Sequence, residues 1–132
     1  MSQYVKPLTW VLGVVLTLVG VAGFFVDGGM LLYFEVDPIH NVIHILSGVL
    51  AIGAVSMSEA YAALYLKVFG AVYALVAVLG FVMGGDILGI FMVNMADNYL
   101  HAAIALVSLV VGFSAKSGAS SMGSTPSSPS MY

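Results

Sequence analysis

A chain of 132 residues is one domain's worth, and with 61% hydrophobic and only 7% charged residues it cannot build a water-facing surface, since soluble domains carry roughly a quarter charged residues. The net charge of −3, three lysines and no arginine exclude a basic phosphate-binding face, and with it nucleic-acid recognition. The absence of cysteine excludes disulfides, thiolate metal sites and a cysteine nucleophile.

Four apolar stretches, near 8–26, 38–55, 60–83 and 96–113, are long enough to cross a hydrocarbon core, which takes roughly 17–25 helical residues. They predict an all-α, four-helix membrane bundle over 1–113. The first run follows Lys6 and contains the small residues Gly20-Val21-Ala22. It exceeds the h-region of a secretory signal and reads as a span. The segment 28–36 opens with glycine and is too short to span and too apolar for a free loop, so it should lie along the outer interface or fold back over the bundle. Asp37-Pro38 supplies an N-cap acceptor and a proline at the first helical position of span two. Ser56-Met57-Ser58-Glu59 reads as a capping box for span three. The segment 85–93 resembles 28–36, and the Ser/Gly/Pro-rich tail at 114–132 reads as disordered and cytoplasmic.

Lys6, Lys67 and Lys116 fall on one side of this arrangement, Lys67 in or near the link between spans two and three. All the acids except Glu59 fall on the other, at the water interface. The positive-inside rule then places both termini in the cytoplasm. Trp10, Tyr61 and Tyr65 fit an inner aromatic belt, and Tyr33 and Tyr99 an outer one.

Sliding the chain against itself by 57 residues matches fourteen of thirty-four positions between 11–44 and 68–101 without a gap. Valine and leucine matches are cheap in such a chain. Gly23-Phe24 against Gly80-Phe81, and Asn41-x-x-His44 against Asn98-x-x-His101 in the same register, are not. The pattern reads as a tandem repeat of two-helix hairpins, about 8–55 and 60–113, related by a pseudo-two-fold axis along the membrane normal. Gly13, Thr17 and Gly20 form a small-residue stripe on span one, and Gly70, Ala74 and Ala77 its counterpart on span three. Such stripes let helices approach closely in lipid.

Asp37, Asn41 and His44 make one helical stripe, and Asn94, Asn98 and His101 repeat it. Each stripe histidine lies about 10 Å below the head of its stripe, inside the apolar zone. The first reading is structural: asparagine and histidine hydrogen-bond spans two and four across the two-fold, or hold down the outer segments. His44 and His101 are also placed as axial ligands of a haem or chlorophyll-type pigment would be. His44, His101, His40 and Asp97 contain the atoms for a metal site, without further support from the sequence, so no metal is assigned. An ion path lacks ionisable groups below the histidines. No catalytic set is present, so an enzyme is not expected.

Asn41-Val42-Ile43-His44-Ile45-Leu46-Ser47-Gly48 and Asp97-Asn98-Tyr99-Leu100-His101 resemble the signature of the bacterial domain-of-unknown-function family 4383, over about 11–113, with Ala105 standing where span two has Gly48. The resemblance implies small four-helix membrane proteins, here of the bacterial inner membrane or an internal photosynthetic membrane, with no established activity. The expected role is an accessory or structural subunit of a larger membrane complex, in contact with the lipid bilayer and with other subunits or copies of itself. The alternatives are a cofactor-binding membrane protein using His44 and His101, and a small transporter or channel.

Overall fold

The computed structural model describes residues 1–115. The predicted tail lies outside them from residue 116 onward, Lys116 included. A short 3-10 turn leads into α1 (Val5–Gly23), followed by strands β1 (Met30–Leu31) and β2 (Phe34–Glu35) and by α2 (Pro38–Met57). The order then repeats as α3 (Glu59–Met83), β3 (Asp86–Ile87), β4 (Phe91–Met92) and α4 (Met95–Ser114). All four α-helices are long and apolar enough to cross a membrane, making this a multi-pass membrane protein whose outer surface meets lipid.

Local chemistry sets the ends. Helix α1 begins at Val5, directly after the 3-10 turn, and ends earlier than the predicted 8–26 because Phe24 and Phe25 donate back to Val21 and Ala22 and turn the chain. Asp37 caps α2 by accepting from His40 N–H at 2.9 Å, with Pro38 at the first helical position, as expected. The capping box predicted at Ser56–Glu59 does not form. Ser58 is the cap, accepting from Tyr61 N–H, while Ser56 donates back to Ile52 within α2. Ser58 alone joins α2 to α3, which forces those helices together. The reciprocal box occurs instead at α4, where Asn94 and Asp97 satisfy each other's backbone N–H. Gly84 ends α3 in the left-handed conformation (φ +76°) that glycine adopts without strain.

The segments 28–36 and 85–93 are not free loops. Each forms an antiparallel hairpin, Met30 opposite Glu35 and Asp86 opposite Met92. The two hairpins lie at the end of the bundle opposite the α2–α3 joint and brace each other's helices. Asp37 accepts from Met92 N–H at 2.7 Å, Asp97 accepts from Glu35 N–H at 3.0 Å, and the Asn94 amide donates to the Tyr33 carbonyl at 2.9 Å.

Helices α1 and α2 pack intimately, as do α3 and α4, while α3 also lies along α2 and α1. The predicted small stripes sit in these contacts. A Cβ on Gly13 would meet Ile52 at 2.7 Å, one on Gly20 the Asn41 carbonyl at 2.6 Å, and one on Gly70 the Leu109 side chain at 2.8 Å. Gly48 faces Thr17, whose hydroxyl donates to the Gly13 carbonyl. Ala77 is buried and Ala74 half-buried on the same face of α3. A core of Leu12, Leu16, Leu66, Phe69 and Tyr73 fills the centre. Lys67 is not in the inter-helix link but two turns inside α3, its ammonium 5.1 Å from the centre of the Phe113 ring, a snorkelling cation on an aromatic face.

Candidate functional site

The predicted polar stripes divide into three kinds of position. Asp37 and Asn94 are helix caps that also hold the opposite hairpin. Asn41 and Asn98 do not hydrogen-bond across α2 and α4. Each turns into its own helical hairpin and lies against a glycine, Asn41 on Gly23 of α1 and Asn98 on Gly80 of α3, in the space a Cβ would fill. Their Oδ1 atoms are buried without a hydrogen-bond partner. The contact between α2 and α4 is made instead by imidazoles.

His44 and His101 meet as the sequence suggested, and His40 joins them. The ring centres lie 4.5 Å apart for His40–His44, 5.8 Å for His40–His101 and 6.4 Å for His44–His101. All three side chains are buried, at 1%, 8% and 3% exposure respectively. Both ring nitrogens of His40 and the Nδ1 atoms of His44 and His101 have no hydrogen-bond partner. One nitrogen from each ring falls within 4.8 Å of the other two. Four orphaned nitrogens in one apolar pocket are unusual, because a buried polar atom left unpaired costs about 1–3 kcal/mol.

Asp97, the fourth member of the predicted set, is buried within the protein. It is 2% exposed at the first turn of α4, and its carboxylate accepts from the Asn94 and Glu35 backbones. It therefore braces the site from behind and is not one of the three converging ligand groups.

Below the histidines a cavity of about 550 Å³ runs between α2 and α3. Its wall is apolar apart from the histidines, Ser47 and three tyrosines. Leu50, Leu64, Val68 and Val72 line it and are also exposed on the outside of the chain, so the groove opens sideways toward lipid. The aromatic stripe Tyr65, Phe69 and Tyr73 forms its inner wall, with ring centres 4.9 and 4.0 Å apart, and Tyr73 meets His101 edge-on at 5.0 Å. Tyr65 is therefore no belt residue. Its hydroxyl donates to the Ser47 carbonyl at 2.8 Å inside the protein.

Sequence reasoning leaves His40 off the stripe, puts Tyr65 in a belt, and assigns no site role to Phe91, Tyr65, Phe69 or Tyr73. A signal for the last three was present. They recur every fourth residue on α3, one face of the helix.

The family model described as "Domain of unknown function (DUF4383)" matches residues 6–114, and the chain belongs to that family. No curated protein and no solved structure matches it.

Proposed function

We propose that this member of the DUF4383 family is a membrane binding protein. It holds one elongated, lipid-soluble molecule in the groove between α2 and α3, with its polar head at the histidine cluster. The observation that carries this reading is the groove itself, apolar along its length and ending on buried, unpartnered imidazoles. A volume of 550 Å³ falls in the range of ligand pockets. The lining of α3 from Tyr61 to Val76 extends over about 22 Å at 1.5 Å per residue. An extended hydrocarbon chain fits that length, with apolar side chains beside it.

A flat tetrapyrrole on His44 and His101 fits less well. A triangle with sides of 4.5, 5.8 and 6.4 Å puts the His40 centre about 4 Å from the midpoint of the His44–His101 line, where the macrocycle would have to pass. The accessory-subunit reading keeps one specific support: the groove opens laterally along α2 and α3, and a partner's helix could cover it. The tandem duplication belongs to the same proposal, supported by the fact that an offset of 57 carries Phe34–Glu35 onto Phe91–Met92 and Pro38–Met57 onto Met95–Ser114.

The test is native mass spectrometry of the purified protein in nanodiscs, with an absorption spectrum of the same sample. A stoichiometric small-molecule adduct, lost in Val72→Trp while the helical circular-dichroism signal is kept, is the expected result. A stoichiometric protein partner with no adduct would replace this reading by the accessory one. A visible band diminished by His44→Gln and His101→Gln would replace it by the tetrapyrrole one.

A further inference from the structure

We infer that His40, His44 and His101 form a three-imidazole site for a first-row divalent transition-metal ion of the zinc or copper type. The site stands on the histidine geometry alone and does not depend on what occupies the groove.

The donor atoms are already gathered. One nitrogen from each ring lies within 4.8 Å of the other two. Tetrahedral binding at the usual 2.0–2.1 Å metal–nitrogen distance needs nitrogens about 3.4 Å apart. Closing at most some 1.4 Å is a matter of side-chain rotation, not of moving helices. The elements that carry the ligands are also fixed. His40 and His44 stand one turn apart on α2, and His101 faces them from α4, whose first turn is held to the β1–β2 hairpin by Asp97.

The choice of ion follows from the donors. Imidazole suits zinc, copper, nickel and iron, while magnesium and calcium require oxygen ligands, which this triangle does not offer. Metal binding also resolves the oddity of the cluster. Three imidazoles pressed together without partners are unfavourable, and an ion takes up one nitrogen from each. Three protein ligands leave a fourth position for a further ligand, and His40, His44 and His101 all border the groove from which it would come. Asp97, buried one turn ahead of His101, lies at the same end of the bundle and accepts from the Glu35 and Asn94 backbones.

The full-length protein, purified without a polyhistidine tag and treated with chelator, is titrated separately with ZnCl₂ and CuCl₂. Bound metal is counted by mass spectrometry after desalting. One ion per chain is expected for zinc or copper, with affinity falling on the order of 100-fold or more in each of His40→Ala, His44→Ala and His101→Ala. Retention of neither ion at 1:1, or single variants that bind like the parent, overturns the site. Where a variant does not fold, electron paramagnetic resonance of the copper-loaded parent decides. Hyperfine coupling to three imidazole nitrogens supports the assignment, and coupling to fewer than three overturns it.

Discussion

Replacing Gly80 by alanine should destabilise the protein when residue 98 is asparagine and stabilise it when residue 98 is alanine. The reasoning rests on where the Asn98 carboxamide lies. Its Oδ1 and Cγ occupy the position of a Cβ on Gly80, and the side chain is fully buried between α3 and α4. In the parent background, Gly80→Ala gains about 1 kcal/mol of helix propensity and meets an overpacking cost of about 1–3 kcal/mol. The net effect runs from near zero to a loss of about 2 kcal/mol. In the Asn98→Ala background the obstacle is gone and only the gain of about 1 kcal/mol remains. The coupling between the two sites should therefore be about 1–3 kcal/mol. Equilibrium unfolding of the four proteins in mixed micelles measures it. The pair Gly23 and Asn41 should couple in the same sense, with a smaller propensity gain because Gly23 is the last residue of its helix. If Gly80→Ala has the same effect in both backgrounds, the carboxamide does not rest on the glycine and the account of these asparagines fails.

Gly48→Ala should lower the melting temperature, since its Cβ would meet backbone atoms of α1, Thr17 N at 2.6 Å and the Gly13 carbonyl at 2.7 Å, while Gly53→Ala on the same helix meets nothing within 4 Å and should be neutral or stabilising; equal melts would remove the close-contact argument. Asp97→Asn takes the charge from the acceptor shared by the Glu35 and Asn94 backbones, a change of about 1–2 kcal/mol at partly buried charged hydrogen bonds. Hydrogen exchange at the Glu35 amide should accelerate, and unchanged protection there would deny the brace. A reporter fused after Lys116 should be cytoplasmic and one inserted at Gly28-Gly29 or Gly84-Gly85 external, and labelling of the opposite sense at any of these points would invert the orientation proposed from the lysines.

The helices were legible because each leaves an independent mark in the sequence: an apolar run, a cap, or a small-residue stripe. Asp37-Pro38 predicted the start of α2, and Gly13, Gly20 and Gly70 predicted close contacts that the helices make. The hairpins were not legible as strands. Each pairs only two residues on a side and turns at a leucine with positive φ, Leu32 at +56° and Leu88 at +55°, a conformation that costs a non-glycine residue about 1–2 kcal/mol. Sequence signals for such turns are glycine or asparagine, so leucine conceals the first turn, while in the second Gly89 (φ +71°) follows Leu88 inside an apolar run. Asparagine direction was misread for another reason. A stripe on a helix says which residues share a face, and only the neighbour's glycine decides which helix that face meets.

The offset of 57 divides the molecule in a way that bears on where its chemistry lies. Among the positions that agree across the offset, the glycines and asparagines build the scaffold. Gly23 with Asn41 and Gly80 with Asn98 are the same contact made twice, so the two matches that stood out in the sequence are the two halves of one packing unit. The site draws on both kinds, since His44 and His101 agree across the offset while His40 and the aromatic stripe of α3 do not. His40 corresponds to Asp97 under the offset, so one half contributes a third imidazole where the other contributes a capping carboxylate. Tyr65, Phe69 and Tyr73 along the groove correspond to Leu8, Leu12 and Leu16, of which Leu12 and Leu16 are plain core residues. The packing follows the same asymmetry, with α3 lying along α2 far more closely than α4 along α1. A symmetric bundle would need polar and aromatic side chains on both faces or on neither. Here they are gathered on one, while the glycine–asparagine contacts that hold each helical pair are kept in both. That is the distribution expected of the proposed duplication, with a shared frame kept for packing and one face used for the proposed binding.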